Sequence, residues 1–130
     1  MKVSFDFDST LSRKDVQKFA KELIDKGIDV HIVTSRSSFK QLDEEGYNDD
    51  LYEVADNLQI KKENIHFTQG EDKFKFFMIN SDFLWHLDDD YYELKYISKY
   101  RRYYKTFPIS VVSSNFKHKC YKLLNKACIV

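Results

Sequence analysis

Five short apolar runs alternate with stretches of helical periodicity, and this alternation constrains the chain more than any other feature. Val3 to Phe7 is the first predicted strand. A helix follows from about Lys14, with Ser12 as its expected N-cap and Gly27 just past its end. Its stripe is Val16, Phe19, Ala20, Leu23 and Ile24, which follow the helical period. Ile28 to Thr34, rich in β-branched residues, predicts the second strand. Leu51, Val54, Ala55 and Leu58 mark a second helix, and Ile65 to Thr68 a short third strand. Beyond a turn at Gly70, a third helix covers roughly Glu71 to Asn80, followed by a fourth strand at Phe83 to Leu87. Tyr91 to Lys99 predicts a fourth helix and Ile109 to Val112 a fifth strand, and Phe116, Cys120, Leu123, Leu124 and Ala127 stripe a last helix. Such alternation predicts an α/β protein: one domain over residues 1–130, with a mostly parallel five-stranded sheet between two helical layers.

Composition excludes several classes. The chain is 32% charged but balanced, with 21 basic and 21 acidic residues, so no bulk field selects nucleic acid or an anionic membrane. Aromatics reach 16% while Gly 3 and Pro 1 are few, which predicts an ordered chain without flexible linkers. The apolar runs are too short to span a membrane, and Met1-Lys2 leads into a strand instead of a signal peptide. Cys120 and Cys128 fall on one predicted helix, about 12 Å apart at the helical rise, too far to bridge. Free thiols predict a reducing, cytoplasmic setting. The abundance of Lys, Asn, Tyr, Phe and Ile fits an AT-rich genome such as that of a bacteriophage or a low-GC bacterium.

The chemistry concentrates where predicted strands end. The first strand delivers Asp6 and Asp8, one residue apart, at the edge where open α/β sheets bind ligands. Such a pair suits a magnesium site that handles phosphate: one carboxylate can hold metal and attack phosphorus, and the other can donate a proton. The second strand ends in Thr34-Ser35-Arg36, a hydroxyl able to bond a phosphate oxygen beside a guanidinium able to fork onto one. Lys73 opens the third helix and could compensate nearby carboxylates. The fourth strand ends in Asp88-Asp89-Asp90, three acids whose mutual repulsion calls for a cation or a donor. Taken singly, each has a plain alternative as a solvated acidic or polar loop.

Their order resembles that of the haloacid dehalogenase (HAD) superfamily of phosphohydrolases, over roughly residues 1–95. Phe5-Asp6-Phe7-Asp8-Ser9-Thr10 matches the family's pattern of hydrophobic residues followed by Asp-x-Asp-x-Thr. The resemblance implies a Rossmann-like core and an aspartyl-phosphate mechanism with Mg2+. Asp6 would be the nucleophile and a metal ligand. Asp8 would be the general acid/base, protonated because like charges crowd it, and would touch the metal through its backbone carbonyl. Thr34 would bind phosphate and Lys73, or less directly Lys75, would supply the cation. Asp88 and Asp89 would complete the metal site, with Asp90 a bystander and the register of the run open by one residue. Ser9, Thr10, Ser35 and Arg36 would line the substrate site, Arg36 meeting a second phosphate or a carboxylate. Ser9 departs from the family, standing where many members carry Gly.

Only Leu11 to Arg13 separate the first motif from its helix, so the resemblance is to capless members, with Ser37 to Tyr47 the one candidate local lid. A response-regulator receiver domain shares the residue types, but its phosphoacceptor follows strand three and its Lys strand five. Here those positions offer neither. A non-catalytic HAD-like binding or scaffold protein is the alternative, and a nuclease using the same carboxylates a more distant one. The expected substrate is a phosphorylated small molecule or a phosphorylated nucleic-acid end, without membrane or obligate protein partner. Lys99-Tyr100-Arg101-Arg102-Tyr103-Tyr104-Lys105 interleaves basic and aromatic residues as a strand-tracking surface would. It is expected at the sheet edge opposite Asp6.

Overall fold

A computed structural model describes residues 1–38 and 46–128. Five strands, β1 (Lys2–Phe5), β2 (Asp29–Thr34), β3 (Ile65–Phe67), β4 (Phe83–Asp88) and β5 (Phe107–Ser110), form one sheet in the order β3-β2-β1-β4-β5. All four pairings are parallel. The helices are α1 (Lys14–Asp25), α2 (Asp49–Leu58), α3 (Lys73–Ile79), α4 (Tyr91–Lys99) and α5 (Phe116–Cys128). The expected α/β sandwich is therefore present, with the sheet wholly parallel. No helix of the described residues is long and apolar enough to cross a membrane.

Each face of the sheet carries its own core. Val3, Phe5, Trp85 and Leu87 pack with the apolar stripes of α1, α2 and α5. Phe19 of α1 stacks on Trp85, and Phe5, Phe116 and Tyr121 meet its ring edge-on. On the other face Val33 and Phe83 pack with Phe77 of α3, Ile97 of α4 and Tyr104. Burying a side chain such as Phe19 stabilises by about 1.5–3 kcal/mol, so these two layers fix the sheet that holds the site. Cys120 is buried and Cys128 exposed, both free.

The element boundaries depart from the sequence expectation where local chemistry intervenes. β1 stops at Phe5, because Phe7–Leu11 winds into a wide turn in which Leu11 N–H donates to the Asp6 carbonyl and Ser12 N–H to that of Phe7. Ser12 does not cap α1: Arg13 occupies the cap position, and the Ser12 hydroxyl accepts from Ser9 N–H. β5 begins at Phe107 and includes Pro108. Pro lacks the N–H a central strand needs, but β5 pairs only with β4, and an edge tolerates it. Gly27, at φ +81°, closes α1 as expected.

β2 and β3 also carry a paired histidine. His31 Nδ1 and His66 Nε2 are hydrogen-bonded at 2.9 Å, and His31 Nε2 lies 3.1 Å from Asp29. Burial, then the charges of His31 and Lys2, push His66 down to about 4. A histidine whose pKa is lowered by folding contributes stability above its unfolded value of 6.5, and that contribution fades as pH falls from there through about 4. Thermal melts over that window should therefore show a fall that His66→Gln, which cannot titrate, reduces. An identical acid slope in the variant would remove His66 from the account.

Candidate active site

The strand order reverses about β1: β2 and β3 lie to one side of it, β4 and β5 to the other. Crevices form at the carboxyl ends of strands at such a switch point. Here those ends deliver Asp6 from β1 and Asp88 from β4, held in register by pairing of Phe5 with Leu87 and the Asp6 N–H bond to the Leu87 carbonyl, 2.8 Å.

Lys73, the first residue of α3, is 2% exposed and lies between them. Its Nζ donates to Asp6 Oδ1 at 2.7 Å and to Asp88 Oδ2 at 2.6 Å. Thr10, also buried, donates to Asp6 Oδ2 at 3.2 Å and approaches Asp89 at 3.4 Å. One carboxylate oxygen from each of Asp6, Asp88 and Asp89 can be chosen so that all lie within 4.8 Å of one another. These are hard oxygen donors, the kind that hold Mg2+. Three acids share one ammonium, and the electrostatics reflect the shortfall. Burial pushes Asp6 up to about 8, with the charge of Asp88 adding to it and Lys73 opposing. Burial also acts on Asp88, but the His86 hydrogen bond and the charges beside it hold that group well below the carboxylate range. A cation among these oxygens would supply the missing charge, so the residues present fit Mg2+.

Asp90 is otherwise engaged. Its side chain caps α4, accepting from the N–H groups of Tyr92 and Glu93. This separates it from the Asp88 and Asp89 cluster. The turn that carries Asp8 holds Ser9 at φ +58°, left-handed backbone that favours glycine and that a serine adopts at some cost.

Asp8 stands in a different environment from the one expected. Its exposed carboxylate is gripped by Arg36, whose Nε and Nη2 donate to its two oxygens at 3.0 and 2.6 Å. Arg36 also forks onto Asp50, at 2.7 and 2.9 Å, and reaches Asn48. Its five donors are thus all engaged, and its guanidinium lies over the rings of Phe7 and Tyr47. Arg36 is a clamp on Asp8, with no donor spare for a second phosphate. Its position after β2 suggested a cation at this edge. The acids that occupy it, Asp8 and Asp50, lie 28 and 14 residues away.

Asp6, Asp8, Ser9, Ser35, Lys73 and Asp88–Asp90 line one cavity of about 370 Å³, together with Gly70, Glu71, Asp72 and Glu93. Eight of these twelve residues are acids, against a single lysine. Thr34 ends β2 fully buried, its hydroxyl accepting from Arg36 N–H, and Ser35 is the hydroxyl residue of that segment that lines the cavity. Lys75 lies on α3 away from this cavity, beside Phe67, Thr68 and Ile79. The candidate lid falls mostly on residues 39–45, outside the described residues. The run from Lys99 to Lys105 lies between the end of α4 and the start of β5, at the amino ends of the strands, opposite the ends that carry Asp6 and Asp88. There Arg101 covers the Phe107 ring and Arg102 lies over Tyr103.

Sequence reasoning missed Glu93, which accepts from Lys73 N–H at 3.3 Å, and the buried pair Ser4 and His86. The available signal was alternation: Ser4 and Asp6, like His86 and Asp88, are polar residues two apart in otherwise apolar strands, hence on one face. No protein-family model matches the chain, and no curated protein sequence matches it.

Proposed function

We propose that this protein is a magnesium-dependent phosphatase of the HAD type, hydrolysing phosphomonoesters through an aspartyl-phosphate on Asp6. The observation that carries this reading is the convergence of Asp6, Lys73, Asp88 and Asp89, from three distant segments, on one cavity at the sheet's switch point. Asp6, Asp88 and Asp89 would hold Mg2+, with the Asp8 carbonyl as a further ligand. Bound there, the ion would neutralise phosphate oxygens that otherwise repel an attacking carboxylate. Lys73 holds the attacking side chain in place and adds positive charge. Asp6 displaces the alcohol from phosphorus. Asp8, clamped as a carboxylate by Arg36 in the resting protein, must first leave that clamp and take up a proton from solvent, which it then gives to the leaving oxygen. It afterwards takes a proton from the water that frees phosphate from Asp6. Ser35 and Ser9 line the cavity where the phosphoryl group would sit. A small phosphomonoester suits this acidic cavity better than a nucleic-acid end, because the basic run lies at the opposite ends of the strands. Free thiols favour a cytoplasmic setting.

The test is a panel of phosphorylated metabolites and 3′- and 5′-phosphorylated oligonucleotides, assayed for phosphate release with Mg2+ and with EDTA. Metal-dependent release from a small-molecule member is expected. No release from any member, with no Mg2+ binding by calorimetry, would favour a binding or scaffold protein instead.

Asp8 carries a separate expectation. Asp8→Asn should slow alkyl phosphate hydrolysis by about 10²–10⁴, the range for losing a general acid/base. Nitrophenyl phosphate, whose leaving group needs no proton, should suffer less. Equal losses on both would give Asp8 a different role.

A further inference from the structure

Beneath the metal-binding acids runs a buried polar chain that the proposed chemistry does not use. Ser4, in β1, pairs in register with His86 in β4, and both are completely inaccessible to solvent. Ser4 Oγ lies 2.8 Å from His86 Nδ1, and His86 Nε2 lies 2.8 Å from Asp88 Oδ2. An ionised Asp88 can only accept, so Nε2 must donate to it. Nδ1 of the neutral ring is then an acceptor, and the Ser4 hydroxyl donates. The pattern allows one tautomer and one ring orientation.

A serine, a histidine and an aspartate in series suggest a nucleophilic triad, but this one is built the wrong way round. In such a triad the serine faces Nε2 and the acid Nδ1. Here the order is reversed, and no substrate can reach a serine in the middle of a buried strand. The chain ends on Asp88 and acts there.

Counting lone pairs shows how. Asp88 Oδ2 receives two donors, Lys73 Nζ and His86 Nε2, while Oδ1 receives one, the Asp90 N–H at 3.0 Å. Oδ1 alone keeps a free lone pair. Without His86 the carboxylate would hold its rotation through Lys73 and Asp90 only. We propose, resting on the metal-dependent reading above, that Ser4 and His86 are positioning residues that lock the Asp88 carboxylate with Oδ1 toward the cation, and so set the affinity for Mg2+. Partners of this kind commonly change metal affinity by about 10–100-fold.

Calorimetric titration with Mg2+ alone, and with Mn2+ followed by electron paramagnetic resonance, tests this without substrate. His86→Leu fills similar space and removes both hydrogen bonds. It should weaken Mg2+ binding by about 10–100-fold. His86→Gln, whose amide can again donate to Asp88, should recover most of that loss. Ser4→Ala frees Nδ1 and should cost a smaller factor, of a few fold. A folded His86→Leu with wild-type affinity overturns the proposal. Should that variant fail to fold, Ser4→Ala decides, and unchanged Mg2+ affinity there overturns it equally. A wild-type protein that binds neither ion defeats the metal-dependent reading itself, an outcome distinct from variants that bind as well as wild type.

Discussion

Asp6→Asn is expected to abolish phosphate release, by about 10⁴-fold or more on the scale seen when a hydrolase loses its nucleophile. Asparagine keeps the size of the side chain and can still accept from Thr10 or Lys73, so the fold should survive. With one anion fewer around a single ammonium, the metal-free variant should melt no lower than wild type in EDTA. Turnover and stability thus move independently, which separates a chemical role from a structural one. Measurable turnover at the wild-type rate, in material free of contaminating phosphatase, would remove Asp6 from the mechanism.

Lys73→Met should have the largest effect on stability. The lysine is buried between two buried carboxylates, and its loss leaves both without their ammonium. Breaking a buried ion pair from one side costs about 3–5 kcal/mol, a fall in Tm of roughly 10–20 °C for a chain of this size. Adding Asp6→Asn to Lys73→Met should restore part of the loss, because one stranded charge is removed with it. Additive penalties in the double variant would show that Lys73 stabilises through packing and not through charge.

The fold was legible because each element carried its own period. The stripe from Val16 to Ile24 and the β-branched run before Thr34 admit one reading each, whereas the strand order β3-β2-β1-β4-β5 had no sequence signal of its own. The site was legible where acids and a lysine stand beside strand ends, as Asp6, Asp8, Lys73, Asp88 and Asp89 do. What escaped depends on contacts between distant segments. Nothing near Arg36 in sequence says that it will spend its donors on Asp8 and Asp50. Ser4 and His86 sit inside strands, where a polar residue carries no motif and its partner is set by register. Ser12 failed as a cap because the preceding turn claimed its hydroxyl for Ser9. β5 starts two residues before the predicted strand and takes in Pro108, which an edge position accepts.

The Arg36 clamp has a consequence for how this scaffold can be altered. Arg36 bonds Asp50, and Asn48 Nδ2 donates to the Ser37 carbonyl at 2.9 Å, so the chain is stapled on both sides of residues 39–45. Asp8 is held at one end of the staple, by the same guanidinium that bonds Asp50. The arm that carries Asp8 is thereby tied to the first turn of α2, so a change at Asp50 or Asn48 reaches the cavity without touching its lining.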